Sequence, residues 1–403
     1  MRGLSEKWAS KWRRPEVLLF LMAGAATICF AVWQALLNNF SIERAAFTGV
    51  EMGILQSLRE VPGFLSFTVV FLLLLLREQP LALVSLLLLG IGTAITGFFP
   101  SIIGLYCTTV LMSVGFHYYE AVQTSLSLQW VDKEHAPEIL GKLISVKAGA
   151  SILTFGGVWL AFDFLKFDFV WVYLIGGVVA LGLTAFCWAA FPSFPDQVVQ
   201  NKNMVLRSRY WLFYALTFMS GARRQIFIVF AGFLMVEKFG YSVSAIAVLY
   251  LINAAINIWL APHIGRMIGK YGERKALIFE YIGLIGVFSA YAFVENATVA
   301  AGFNVLDHMF FALAIAMKTY FQKIADPADI ASTAGVSFTI SHIAAIVIPA
   351  AFGVLWLTSP AAVFLSGAAM ASISLLMAFN VPQNPTRGNE VLVGRMRAPV
   401  PAE

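Results

Sequence analysis

Long apolar runs alternate with short polar breaks along the whole chain, and each run is long enough to cross a lipid bilayer. A transmembrane helix needs about 20 apolar residues. The runs predict an all-α membrane protein with twelve spanning helices, numbered here as predicted helices 1 to 12, at residues 16–40, 47–76, 80–99, 101–128, 138–162, 168–192, 210–236, 242–268, 275–294, 297–322, 330–357 and 359–380. An even number of spans places both termini on the same side of the membrane.

The composition supports a membrane protein and argues against several other classes. Hydrophobic residues make up 60% of the chain and charged residues only 12%, which is more apolar surface than a water-soluble domain buries. The loops have no room for a soluble catalytic domain, and the sequence shows no nucleophile arrangement or nucleotide-binding loop, so we predict neither an enzyme nor a cofactor. The three cysteines lie within predicted helices and indicate no disulfide framework.

The basic residues orient the predicted helices in the membrane. With the N-terminus in the cytoplasm, only Arg44, Lys166 and Lys238 of the 27 lysines and arginines fall in outer loops. Cytoplasmic loops are enriched in Lys and Arg, so both termini are predicted to be cytoplasmic, in a multi-pass protein of the cytoplasmic (inner) membrane. This topology and attraction to lipid headgroups explain the net charge of +5, and nucleic acid is not a predicted partner.

One long polar connection divides the chain into two halves. It follows predicted helix 6, reads "FPSFPDQVVQNKNMVLRSRY" and is typical of a cytoplasmic linker. The predicted organisation is a cytoplasmic N-terminal segment at 1–15, a six-helix half at 16–193, the linker at 194–209, a second six-helix half at 210–380 and a cytoplasmic tail at 381–403. A shift of 191 residues aligns three pairs of polar residues, which indicates two parallel repeats: Gln34 with Gln225, His117 with His308, and Glu138 with Asp329.

The connection between predicted helices 8 and 9 carries a motif. It reads "GRMIGKYGERKAL" and resembles the signature loop of the major facilitator superfamily. Five residues fit that signature, namely Gly265, Lys270, Gly272, Arg274 and Lys275. Gly269 stands where the family usually has Asp, and Glu273 stands where a basic residue is common. The equivalent loop of the first half, "LLLLLREQPLAL", keeps only Arg77.

The resemblance extends to nearly the whole chain, because that superfamily has the same arrangement of six plus six helices with a cytoplasmic linker. It implies alternating access about a central cavity, with the loop between helices 8 and 9 acting as a cytoplasmic gate. It also implies that helices 1, 2, 4, 5, 7, 8, 10 and 11 line the cavity and that helices 3, 6, 9 and 12 lie outside. The apolar stretches of predicted helices 3, 6 and 12 contain no charge, as outer helices should.

Polar residues inside the predicted helices are the candidates for a functional site, because a charge in the hydrocarbon is costly unless it faces protein or water. The candidates for substrate binding are Arg59, Arg224, Arg223, Lys147, Gln34, Asn253, Asn257 and His342. The candidates for proton coupling or ion pairing are Glu60, Glu120, Asp307, His117 and His308. Carboxylates and histidines in such surroundings can load and release protons near neutral pH.

Arg59 and Glu60 are the most unusual of these residues, since they stand side by side in an apolar segment. Successive residues of a helix point about 100° apart. We therefore expect the two side chains to face different partners, one towards the cavity and one towards a neighbouring helix. A purely architectural alternative pairs Arg59 with Glu120, or Glu60 with Lys147.

Taken together, these residues predict a secondary transporter for a small, anionic organic solute, coupled to protons. Arginine suits carboxylate and phosphate groups, so Arg224 with Arg59 or Lys147 would hold the anion. Glu60, Glu120 or Asp307 would carry the proton. The predicted partners are the solute, H⁺ and the lipid bilayer, and the predicted state is a monomer.

Three alternatives stay open. His117, Glu120, Asp307 and His308 could bind a divalent transition metal as transported substrate, although four cationic side chains in the same core oppose it. An efflux antiporter for drugs or other hydrophobic compounds is the second, but predicted helix 5 lacks the Gly-Pro-x-x-Gly-type run common in such proteins. The third is a membrane sensor that does not transport.

Overall fold

The structure is a computed structural model that describes residues 12–130, 136–194, 206–326 and 329–394. Every regular element within these ranges is helical, apart from an isolated bridge between Thr386 and Asn389. We number the main helices in chain order as α1 (Pro15–Ala45), α2 (Gly49–Phe64), α3 (Glu78–Thr96), α4 (Ile102–Trp130), α5 (Ala136–Asp163), α6 (Phe169–Ala190), α7 (Trp211–Ile226), α8 (Val243–Tyr271), α9 (Glu273–Phe293), α10 (Ala297–Phe311), α11 (Ile330–Thr358) and α12 (Pro360–Ala378).

Eleven helical segments of the described chain are long and apolar enough to cross a membrane. The exception is α2, where the sequence predicts one continuous helix over residues 47–76. The helix ends at Phe64, and a 3₁₀ turn (Leu65–Thr68) and a short helical piece (Val69–Leu72) follow it. Pro62 lies inside α2, and its missing N–H removes one of the hydrogen bonds that would carry the helix onward.

Two further predicted helices change their winding along their length. After α7 the chain forms a π-helical segment (Phe227–Ala231) and then a short α-helix (Gly232–Glu237). After α10 it forms a 3₁₀ turn (Ala312–Ala314) and continues as Ile315–Ile324. Mid-helix changes of this kind often mark functional positions. The charged candidates Arg223 and Arg224 lie in the last turn of α7, just before the π-helical segment.

Side-chain caps explain where several of the other helices begin. The Asp168 carboxylate accepts a hydrogen bond from the Val170 N–H at the start of α6. The Asn296 side chain accepts from Val299 at the start of α10, and Ser359 accepts from Ala362 at the start of α12, where Pro360 is the first helical residue. Such caps satisfy backbone donors that the helix leaves unpaired.

Contacts divide the chain into two compact units. Unit 1 consists of Met1–Phe47, Leu58–Gln200 and Tyr241–Ala254. Within it, α3 packs extensively against α4 and α6, and α1 packs against α5 and α6. Small residues allow these approaches, because a Cβ added at Gly115 of α4 would collide with the backbone of Leu89 in α3. Close helix packing of this kind is a principal source of association in membranes.

Unit 2 consists of Thr48–Ser57, Asn201–Gly240 and Ala255–Glu403. The start of α2 belongs to it and lies against α11, where Gly53 faces the backbone of Pro349. Ser57 Oγ accepts a hydrogen bond from the Ala350 N–H at 3.0 Å. In the same unit, α9 packs on α12 and α7 on α11.

The beginning of the predicted tail also packs into unit 2. The Asn380 side chain bonds both the N–H and the carbonyl of Val393, at 2.7 and 3.0 Å. Tyr320 donates to the Glu390 carbonyl at 2.6 Å, and Trp211 Nε1 donates to the Gly394 carbonyl at 3.1 Å. Residues 381–394 are therefore part of the folded unit.

Candidate functional site

Unit 1 contains a buried ion pair between Arg59 and Glu60 of α2. Nη2 of Arg59 bonds Oε1 of Glu60, and the two side chains are only 10% and 8% exposed. The prediction that these neighbours face different partners is therefore wrong. The long arginine side chain curves along the helix and reaches the adjacent carboxylate, and burial favours that pairing because an isolated charge there would be costly.

His117 of α4 lies beside this pair. Its Nε2 is 3.9 Å from the second Glu60 oxygen, Oε2. Its Nδ1 lies 3.0 Å from Ser113 Oγ and 3.1 Å from the Ser113 carbonyl. Since Ser113 Oγ donates to the Arg59 carbonyl, Nδ1 keeps its proton for the Ser113 carbonyl and Nε2 faces Glu60. Protonation of Nε2 would therefore place a charged imidazolium 3.9 Å from the second Glu60 oxygen.

The Arg59 guanidinium has further binding capacity. It lies over the Trp33 ring of α1, with Cζ 5.5 Å from the ring centroid, an attraction between a cation and an aromatic face. Its Nε has no hydrogen-bond partner within the described parts of the chain. A guanidinium carries five N–H donors, so this group can accept an additional anionic partner without losing all its present contacts.

Unit 2 contains a second buried arginine–glutamate pair, on different helices. Arg223 of α7 donates to Glu280 Oε1 of α9 at 3.3 Å and to Ser374 Oγ of α12 at 2.9 Å. Both charged side chains are almost fully buried. The guanidinium that the sequence suggested for substrate binding thus connects three helices.

Glu280 is absent from the sequence-based candidates. It interrupts the apolar run "ALIFEYIGLIG" of predicted helix 9, so the sequence itself marks Glu280 as a buried acid. Predicted helix 9 belongs to the outer set that the resemblance implies, where a functional acid is not expected. A single carboxylate inside an otherwise apolar span indicates a basic partner on a neighbouring helix.

The other charged candidates of unit 2 lie near this pair. Asp307 of α10 is buried and interacts electrostatically with Arg223, Glu280 and Arg224. Arg224 is exposed, with Cζ 4.6 Å from the Phe311 ring centroid. The structure therefore brings four of the ionisable groups of α7, α9 and α10 into one electrostatic cluster.

His117 and His308, which the predicted repeat aligns, have similar settings. His308 of α10 is half-buried, and its Nδ1 bonds the Asn304 carbonyl one turn earlier at 2.9 Å, as Nδ1 of His117 does with Ser113. His342 of α11 is buried and bonds the Phe338 carbonyl at 2.8 Å through Nδ1. In all three histidines Nδ1 bonds a backbone carbonyl one turn earlier, so Nε2 is the nitrogen that points away from the helix's own backbone.

The remaining candidates occupy positions of intermediate or full burial. Gln34 of α1 is half-buried and hydrogen-bonds Tyr250 of α8 within unit 1. Lys147 of α5, Glu120 of α4 and Asn257 of α8 are also half-buried, and Asn253 is buried. Glu120 lies one turn beyond His117 on α4, and Glu60 Oε2 is 3.9 Å from the His117 imidazole.

The predicted gating loop forms a sharp turn between α8 and α9. Gly272 has φ +85°, a left-handed backbone that glycine adopts without strain. Gly265, Lys270 and Lys275 are exposed, and Arg274 is half-buried. The acid in this motif, Glu273, points inward and pairs with Lys323 Nζ at 2.7 Å.

A polar network around Asp329 connects the start of α7 to the start of α11. Asp329 is buried and accepts hydrogen bonds from Arg207 Nη2 at 2.9 Å and from the Tyr210 hydroxyl at 3.0 Å. Arg209 lies 3.5 Å from the same carboxylate. The hydrogen bonds and charge of Arg207 hold the pKa of Asp329 below its usual value.

Comparison with known proteins identifies the family to which this chain belongs. A sequence profile described as Major Facilitator Superfamily matches residues 17–349. No curated protein matches the sequence. Among solved structures, a mutant form of the nucleoside transporter NupG is similar with a TM-score of 0.73 and 14% identity, covering 91% of this chain and 99% of NupG.

A second solved structure is a bacterial homologue of the human lysosomal transporter Spinster, in an inward-facing and occupied conformation. Its TM-score is 0.71 at 14% identity, covering 90% of this chain and 95% of that protein. At such identities the likeness concerns the fold alone. The profile match, which covers most of the chain, establishes that this protein belongs to the major facilitator superfamily of membrane transporters and is not an enzyme.

Proposed function

We propose that the protein is a secondary transporter that moves a small anionic organic solute together with protons across the cytoplasmic membrane by alternating access. We further propose twelve spans with both termini in the cytoplasm, α2 and its continuation forming one of them. The observation that carries the function is the buried Arg59–Glu60 pair with His117 beside it. A buried ionisable group in a membrane span is costly, and a functional role accounts for its presence.

In the first step of this proposal, the ionised Glu60 holds the Arg59 guanidinium. A proton that reaches His117 resides on Nε2, 3.9 Å from Glu60 Oε2, and passes to the carboxylate when a side-chain movement brings the two atoms to hydrogen-bond distance. Protonation of Glu60 removes the charge that attracts Arg59. The guanidinium then keeps its contact with Trp33 and has donors free for another anion.

In the second step, a carboxylate or phosphate of the solute takes the place of the ionised Glu60. Because solute and Glu60 compete for the same guanidinium, the anion binds well only when the carboxyl group is protonated. Proton and anion would therefore travel in the same direction, and a monovalent solute would move with no net charge. Lys147 of α5, in the same unit, is proposed as an additional cationic contact.

The experiment is a ligand-stabilisation screen on purified protein, since a ligand that binds only the folded state raises the apparent melting temperature. Carboxylates, phosphates and uncharged nucleosides are compared at about pH 5.5 and about pH 7.5, on either side of the histidine range. We expect an anion to stabilise the wild type more strongly at the lower pH. Glu60→Gln, which imitates the protonated acid, should bind that anion equally at both pH values.

The control variant is Arg59→Gln/Glu60→Gln, which removes both charges and leaves no unpaired ion in the core. It should lose anion binding while keeping a cooperative melting transition. The proposal fails if uncharged solutes stabilise the wild type and this double variant alike. It also fails if anion binding by the wild type does not change with pH.

A further inference from the structure

An open groove of about 180 Å³ lies where α8 turns into α9. Met267 and Tyr271 of α8 form one side, and Lys275, Ala276 and Phe279 of α9 form the other. Apart from the lysine, the lining is apolar or aromatic. The groove is independent of the Arg59 site and of the function proposed for it.

The groove continues into the outward face of α9. Phe279 and Ile282 are 57% and 56% exposed, and with Lys275 they follow the spacing of residues on one face of a helix. Apolar side chains that are exposed on a membrane-spanning helix face lipid tails. Lys275 therefore stands at the headgroup end of a stripe that otherwise contacts hydrocarbon.

Positive charge is concentrated around the same groove. Lys270 is exposed, and its Nζ is 5.2 Å from the ring centroid of Tyr271. The nearest acid in the motif, Glu273, does not cancel this charge, because it is only 2% exposed and pairs with Lys323. Tyrosine commonly lies at the level of lipid headgroups.

We propose that this groove binds one anionic phospholipid. Lys275 and Lys270 contact the headgroup phosphate, Tyr271 lies at the interface, and an acyl chain follows Phe279 and Ile282. A lipid held there spans both sides of the turn at Gly272 and restrains the relative movement of α8 and α9. The lipid composition of the membrane would in this way affect the turn that the sequence motif identifies as a gate.

The test uses full-length protein purified in detergent, with phosphatidylglycerol or phosphatidylcholine added in turn. Bound lipid is counted by native mass spectrometry, and the melting temperature is measured in parallel. Wild type is compared with Lys270→Gln/Lys275→Gln. The matched control is Lys318→Gln, since Lys318 is another exposed lysine, on the helical continuation of α10.

We expect wild type to retain phosphatidylglycerol in preference to phosphatidylcholine and the control to do the same. The double variant should lose this preference, by about fivefold in affinity for each lysine removed. Equal retention of both lipids by the wild type would overturn the proposal, as would an unchanged preference in the double variant. Displacement of the lipid by soluble glycerol phosphate at similar concentration would also overturn it, because the site would then recognise only a phosphate.

Discussion

Within the described parts of the chain, a buried arginine–glutamate pair lies in each unit, and the two pairs are built differently. In unit 1, Arg59 and Glu60 are neighbours on α2. In unit 2, Arg223 and Glu280 lie on α7 and α9, and Ser374 extends the contact to α12. Both pairs are almost fully shielded from solvent, so their desolvation costs are similar.

The difference lies in what must move when each pair separates. Arg59 can leave Glu60 by rotating its own side chain, with α2 unchanged. Arg223 can leave Glu280 only by losing contacts that connect three helices. The first arrangement suits a contact that opens and closes during transport, and the second suits a contact that holds helices together. The same two residue types can therefore serve opposite purposes.

The largest loss of stability is expected from breaking the Arg223–Glu280 pair of unit 2. Arg223→Ala leaves Glu280 buried without its partner and should destabilise the protein by about 3–5 kcal/mol, measured as unfolding in detergent. Arg223→Met/Glu280→Leu removes both charges and should recover most of that loss. If the double variant is no more stable than the single one, Arg223 does more than balance the charge of Glu280.

A smaller change in stability is expected in unit 1. Glu60→Gln keeps a hydrogen-bond acceptor for Arg59 and should cost about 1–2 kcal/mol. Its main effect should be on transport in proteoliposomes, where solute exchange persists and uphill accumulation driven by a pH gradient is lost. A destabilisation as large as that of Arg223→Ala would show that both pairs are structural and would remove the contrast between them.

Asp329 provides a reference for a carboxylate outside the membrane spans. Its pKa is lowered in the folded protein, so its contribution to stability is present above the unfolded value of about 3.9 and is lost as the pH falls through the folded value. Asp329→Asn should cost about 1–2 kcal/mol at neutral pH and make unfolding less sensitive to acid. Melting curves between neutral and acidic pH test this, and parallel pH profiles for variant and wild type would contradict it.

The smallest change in stability is expected from a substitution of Arg224, which adjoins Arg223 in the sequence but is exposed. Arg224→Ala should change the unfolding free energy by about 0.5 kcal/mol or less, although its charge acts on Asp307. A loss of anion binding in the stabilisation screen would support the substrate role predicted for it. A destabilisation close to that of Arg223→Ala would instead show that both arginines hold the helices together.

The apolar spans and the family were accessible from the sequence because they depend on patterns many residues long. Apolar runs predict helices well when the solvent is lipid, since a chain that enters the bilayer must satisfy its backbone internally. The motif from Gly265 to Lys275 then identified the superfamily, and the profile match confirms it.

The details of the candidate site depend on single rotamers and were not accessible in the same way. Helical geometry indicated that Arg59 and Glu60 diverge, but a flexible arginine can curve back to its neighbour. Glu280 was visible in the sequence, yet its importance follows only from the position of Arg223 opposite it. The interruption of α2 depends on Pro62 together with the packing of the residues that follow.

The π-helical segment Phe227–Ala231 has a consequence for how this family member can diverge. Such a turn takes up one extra residue within a single widened turn, so the helix on either side keeps its phase. Loss of one residue from Phe227–Ala231 during evolution would therefore restore an ordinary α-helix and leave Arg223 directed at Glu280. The same change of length in a regular helix would rotate the preceding residues by about 100° and separate a buried salt bridge, so this segment is a place where the chain can change length and keep its ion pair.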